Sequence, residues 1–207
     1  MKRFLAAAAV PLVAALGVSG CGHQLPSMGW VSVIDGERGL DNFNRVGDAN
    51  WRAEGGVIVA DKGKGGHLVS KASYKDFELR AEFWSEVTTN SGIFIRCKDA
   101  NKISAVDCYE VNIADGRPEP NYGTGGIPNV AAVKVVPAPK AAGRWNVYEI
   151  MAKGDELTIV LNGQVTVYAR DGRNPAGPFT LQYGGFNSTT KAGGGAIKWR
   201  KLDIRPL

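Results

Sequence analysis

NSGIFIR, Asn90 to Arg96, and CYEVNIAD, Cys108 to Asp115, decide the fold of this chain. In the first run Ile93 and Ile95 alternate with Gly92, Phe94 and Arg96. In the second, Tyr109, Val111 and Ile113 alternate with Glu110 and Asn112. A period of two is the mark of a β-strand with one buried face. The other face normally carries scattered solubilising charges. Here an Arg, a Glu and an Asn gather on a single patch if the two runs pair, and that patch is the candidate site.

The same period recurs outward from this hairpin. Trp30–Ile34, Val57–Ala60, Phe77–Phe83, Trp145–Ala152, Leu157–Leu161, Gln164–Ala169, Phe179–Tyr183 and Ala196–Ile204 all read as strands. Asn162-Gly163 between two of them is a two-residue hairpin signal. No long segment has helical periodicity. Many short strands separated by Gly, Pro and Asp-Gly predict an all-β fold, an antiparallel two-sheet β-sandwich. Two stretches read as long loops, Asp35 to Asn50 and Asp115 to Pro139. The second follows directly on the polar patch, where long loops commonly wall a binding site.

The first twenty residues read as an address. Lys2 and Arg3 precede an apolar run from Phe4 to Val18, too short for a membrane span. Val18-Ser19-Gly20-Cys21 resembles the lipobox of bacterial lipoproteins, in which the Cys is acylated. The expected organisation is a lipoprotein signal peptide (1–20), a flexible tether (21–29) and one sandwich domain (30–207). Gly22 after the acylated Cys points to the outer membrane, with the domain in the cell envelope facing the periplasm. Removing the leader takes away Lys2 and Arg3 and lowers the formal charge from +5 to +3. With no Lys/Arg block and no basic-aromatic stripe, nucleic-acid binding has no support.

Cys97 and Cys108 then remain, at the ends of successive strand-like runs. In an oxidising compartment they are expected to be bridged. The register poses a snag. Keeping Ile93, Ile95, Tyr109, Val111 and Ile113 on one face sends the two cysteines to opposite faces, so a bulge or a break in the ladder is needed near the hairpin end.

With these residues in view, the chain resembles the 3-keto-disaccharide hydrolase family. The matching stretches are WRAEGGVIVA, YKDFELRAEF, NSGIFIR, YEVNIAD, TGGI, AGRWNVYEI, LNGQV, GPFTLQ and RKLDIRPL, in that order along most of the chain. The resemblance implies a concanavalin A-like (LamG-like) jelly roll and hydrolysis of a glycoside already oxidised to a ketone at C3. Three departures stand out. The family usually has Gln at the position of Asn112 and often an aromatic at that of Pro128. It also tends to carry a His shortly after the LQ of the late strand, where this chain has Tyr183-Gly184-Gly185.

The implied chemistry needs a base and an oxyanion partner. A C3 ketone makes the C2 hydrogen acidic, so a carboxylate removes it while a cation or amide holds the enolate oxygen. Glu110 is the expected base and Arg96 the stabiliser, with Asp115 assisting proton transfer. Asn90, Asn112 and Gln182 are expected to bind hydroxyls and Trp84 to stack on a sugar ring. Each has a structural rival: a cross-strand ion pair for Glu110 and Arg96, a turn for Asn90 and Asp115, a covered sheet edge for Trp84. The expected partners are an oxidised sugar or glycoside and, through the lipid anchor, a membrane. A non-catalytic carbohydrate-binding surface module is the alternative. A laminarinase-type reading of Glu110 and Asp115 fails on a flat strand, which sends residues five apart to opposite faces. No metal or other cofactor is expected. His23 and His67 have no ligand spacing, and the Asp99 to Asp107 loop shows no Ca²⁺ pattern.

Overall fold

A computed structural model describes residues 29–136, 138–189 and 192–207. The expected leader, Cys21 and most of the tether lie outside the described residues. Strands are numbered in chain order. One sheet holds β1 (Val31–Asp35), β3 (Arg52–Glu54), β4 (Val57–Ala60), β6 (Phe77–Ser85), β9 (Trp145–Lys153), β10 (Glu156–Leu161), β11 (Gln164–Arg170) and β13 (Ile197–Pro206). Its order is β11-β10-β9-β6-β13-β4-β3, with β1 also paired to β13. The other sheet holds β2 (Phe43–Gly47), β5 (Gly65–Tyr74), β7 (Ser91–Ile95), β8 (Tyr109–Ile113) and β12 (Gly177–Gly184) in the order β2-β5-β12-β7-β8. The pairings are antiparallel, and the fold is a two-sheet sandwich as expected.

The inner faces supply one core. Phe77, Leu79, Ala81 and Phe83 of β6 alternate with outward Glu78, Arg80, Glu82 and Trp84, and the inward set meets Leu68, Ile93 and Val111 of the smaller sheet. Phe83 stacks on Tyr148 at 5.0 Å between centroids. The Tyr148 hydroxyl donates across the sandwich to the Asn112 carbonyl at 2.6 Å, so this buried polar tip is satisfied. The Asn162-Gly163 turn joins β10 to β11 with φ of 51° and 80°, the left-handed pair of a type I′ turn.

The stretch read as a loop from Asp35 to Asn50 contains β2, which the alternation did not reveal. Only Phe43 of this strand is buried, because β2 is an edge strand with one neighbour, β5. The long segment after Asp115 runs along the free edge of β8. Asn112 donates its backbone N–H to Gly126 and accepts from Gly125, both at 3.0 Å. The Gly/Pro segment thereby covers an edge that would otherwise expose unpaired backbone groups.

The cysteine problem resolves at Arg96. Cys97 and Cys108 are bonded, with Cα atoms 4.2 Å apart, and pack with Phe94 and Ile103. Arg96 lies just past β7 with φ of 51°, and this single left-handed residue breaks the alternation so that Cys97 turns to the face of Phe94 and Cys108. Replacing both cysteines by Ala is expected to lower stability by about 2–3 kcal/mol, the loop-closure entropy restored to the unfolded chain. Urea titration at neutral pH measures this, and reductant should shift the native protein but not the variant.

Candidate functional site

The pairing register of the smaller sheet assembles its outer face row by row. His67 of β5 lies opposite Gln182 of β12, and Gly92 of β7 opposite Asn112 of β8. The next row runs Val69, Thr180, Phe94 and Glu110. Asn90 bridges to Gly184 at the start of β7, which places Asn90, with Ala114 beyond β8, at the near end of the same face. Glu110, Asn112, Gln182 and Asn90 therefore share one surface.

Gly92 provides a notch in that surface. A Cβ there would lie 2.9 Å from the Val111 carbonyl and 3.4 Å from Glu110 Cγ, so the Glu110 side chain leans over the glycine. Beyond Asn90 and Ala114 lies a cavity of about 630 Å³, also lined by Thr88, Arg117, Glu119 and Asn187. The loop after β8 thus forms one wall of this cavity, which meets the polar face at Asn90.

Glu110 is the least ordinary titratable group here. It is 8% exposed, and no hydrogen bond reaches its carboxyl among the described residues. Burial pushes it from an ordinary 4.5 up to about 7, against the opposing pull of the Arg117 cation. A carboxyl with that balance can both take and return a proton near neutral pH. An unpaired buried carboxyl also costs stability, which sets Glu110 apart from an ordinary cross-strand ion pair. The side-chain oxygens of Asn112 and Gln182 are buried without a partner on the same face. The Asn112 amide nitrogen is held by the Tyr122 carbonyl at 2.8 Å.

Arg96 does not join this group. Its fully buried guanidinium leaves the face and binds the Lys75 carbonyl at 2.7 Å, the Gly154 carbonyl at 2.7 Å and Asp76 Oδ1 at 3.1 Å. It ties the end of β7 to the β5–β6 and β9–β10 turns. The same left-handed φ that frees Cys97 removes Arg96 from the alternation on which a shared face with Glu110 was expected. Asp115 is likewise spoken for. Its carboxylate accepts from Thr124 Oγ1 at 2.5 Å and from the backbone of Ala141 and Ala142 at 2.9 Å each, so it fastens the long loop. Trp84 stands on the outer face of the larger sheet, with Lys198 Nζ 4.5 Å from its ring centroid, and cannot stack on a sugar held beside Glu110.

Two residues enter instead, Arg117, which the sequence did not single out, and His67, which it weighed only as a metal ligand. Arg117 is the cation acting on Glu110. Its Nε has no hydrogen-bond partner, and Glu119 stands 3.8 Å away. Its position two residues past Asp115 in an irregular loop gave no periodic signal. His67 enters through the pairing of β5 with β12, a long-range contact that no local pattern fixes. Among the described residues no cluster of three or more His, Cys, Asp or Glu side chains is placed to hold a metal ion.

The model of the 3-keto-alpha-glucoside-1,2-lyase-like domain matches residues 29–205. Among solved structures, a candidate glycosyl hydrolase from Parabacteroides distasonis is similar with a TM-score of 0.68 and 25% identity, covering 86% of this chain and 99% of its own. The carbohydrate-binding module CBM66 from Bacillus subtilis aligns with a TM-score of 0.54 at 15% identity, over 86% of this chain and 96% of its own. Basic winged bean lectin aligns with a TM-score of 0.60 at 12% identity, over 84% and 97%. At those identities the last two speak for the sandwich alone. No curated protein matches the chain in sequence.

Proposed function

The chain belongs to the 3-keto-alpha-glucoside-1,2-lyase-like domain family, and we propose that it cleaves the glycosidic bond of a sugar oxidised at C3, with Glu110 as base and Arg117 as oxyanion partner. The observation that carries this reading is the buried, unpaired Glu110 carboxyl on the polar face, pushed up to about 7 by burial against the opposing charge of Arg117. Glu110 takes the C2 proton, and the C2–H electron pair forms the enolate, whose C3 oxygen bears the charge that Arg117 balances. Collapse of the enolate re-forms the ketone, makes a C1–C2 double bond and expels the C1 oxygen substituent, which receives the proton held by Glu110. Water adding across C1 and C2 completes a net hydrolysis. Asn90 and the Gln182 amide N–H bind ring hydroxyls, while Asn112, fully buried with its amide held by the Tyr122 carbonyl, supports the strand beneath them. A lipid anchor at Cys21 would place this activity at the periplasmic face of an outer membrane.

The test compares a 3-keto-glycoside with its unoxidised parent on the purified protein, in ordinary and deuterated water. Turnover of the oxidised sugar alone is expected, with solvent deuterium appearing at C2. Arg117→Ala should lower kcat/KM by about 10²–10³-fold, the usual loss on removing one oxyanion contact. Tight binding of both sugars with no turnover and no exchange would instead make the domain a carbohydrate-binding module.

A further inference from the structure

His67 stands on the same outer face as Glu110 but three strands away, across β12 and β7. At about 4.8 Å per strand that is roughly 14 Å along the sheet, further than one pyranose ring spans. Its ring packs edge-on against Phe94, with centroids 5.2 Å apart, and Phe94 is in turn the register partner of Glu110. Its Nδ1 lies 2.9 Å from Thr180 Oγ1. Thr180 is fully buried, and its hydroxyl has no other partner among the described residues. The hydroxyl hydrogen is therefore satisfied only by donating to Nδ1, and the proton of the neutral imidazole is assigned to Nε2. That Nε2 has no protein partner among the described residues and is not sealed from solvent, unlike the side-chain oxygens of Gln182 and Asn112 in its row. Burial holds the ring neutral, with its pKa pushed down to about 4.

We infer that His67 is a specificity-determining residue whose Nε2–H donates to the second sugar ring, the leaving-group side, of a two-ring ligand laid across β8, β7, β12 and β5. This rests on the proposed function, since it takes the reacting ring to lie at Glu110. A neutral donor fixed by a buried hydroxyl is already oriented for an uncharged sugar oxygen, so little order is lost on binding. Gln182, directly opposite His67, supplies the neighbouring amide to the same ring.

The experiment reads affinity rather than turnover, in a Glu110→Gln background, with the 3-keto derivatives of trehalose and of methyl α-glucoside as two-ring and one-ring probes. Calorimetry should show His67→Phe weakening the two-ring probe by about tenfold or more while leaving the one-ring probe within about twofold. His67→Gln, which keeps an N–H near the Nε2 position, should restore most of the loss. Equal weakening of both probes, or unchanged binding of the two-ring probe, overturns the role of His67 and leaves the proposed function standing. Failure of the Glu110→Gln protein to bind either probe overturns both.

Discussion

Glu110→Gln is expected to abolish most turnover and, above pH 7, to make the protein more stable. Loss of the base should cost about 10²–10⁴-fold in kcat. The stability gain follows from linkage. In the unfolded chain the carboxyl ionises near 4.5, whereas burial holds its proton to about 7 in the folded state. Between those values the folded state binds more protons, so this group's contribution is intact below about 4.5 and is lost as pH rises through about 7. At roughly 1.4 kcal/mol for each factor of ten, the wild type gives up on the order of 3 kcal/mol that a neutral Gln keeps. Urea midpoints of variant and wild type should coincide near pH 4 and separate to a plateau above pH 7. His67 slopes the other way. Its folded pKa lies near 4 against an ordinary 6.5, so stability from this group is present above 6.5 and falls as pH drops through 4. The two slopes oppose each other in the wild type. The Glu110→Gln protein should expose the histidine slope as a rise in stability between about pH 4 and pH 6.5. A variant less stable than wild type at pH 8 would show that Glu110 is a structural partner, and the catalytic reading would go with it.

That a stability cost sits on the site explains why part of it could be read from the sequence. Alternation around Ile93, Val111 and Ile113 reports which residues share a face, and it placed Glu110 and Asn112 together on the outer side of the hairpin. It carries no information on what happens at the end of a strand. One residue with φ of 51° resets the parity, so Arg96 left the face and Cys97 joined it. The disulfide signalled that such a break was needed, but not that Arg96 itself was the break. Alternation is equally blind to which sheet a strand enters. Trp84 alternates as cleanly as Phe94, yet β6 belongs to the opposite sheet. β2 escaped because an edge strand burying one side chain has almost no hydrophobic period to detect. Arg117 and His67 are placed by long-range pairing and loop path, which no local window contains.

The other large effect falls on Arg96, and it is one of stability, not of chemistry. Its guanidinium is fully buried and uses its fork to satisfy the carbonyls of Lys75 and Gly154 together with the carboxylate of Asp76. Asp76 Oδ1 in turn accepts the Gly154 N–H at 2.8 Å, so the arginine completes a network that closes the β5–β6 and β9–β10 turns onto the end of β7. Arg96→Met removes the charge and leaves two carbonyls and a carboxylate short of donors, a loss expected at about 3–5 kcal/mol. Arg96→Lys should recover only part of it, because an ammonium on a flexible stem cannot reproduce the planar, two-sided geometry of the fork. Urea titration gives the stability, and kcat measured at low temperature, where the variant remains folded, gives the chemistry. The expected result is a large fall in the urea midpoint with kcat within about threefold of wild type, since a residue outside the site removes no transition-state contact. If Arg96→Met instead kept its stability and lost its turnover, the guanidinium would have to reach substrate. Arg117 would then lose its place as the proposed oxyanion partner.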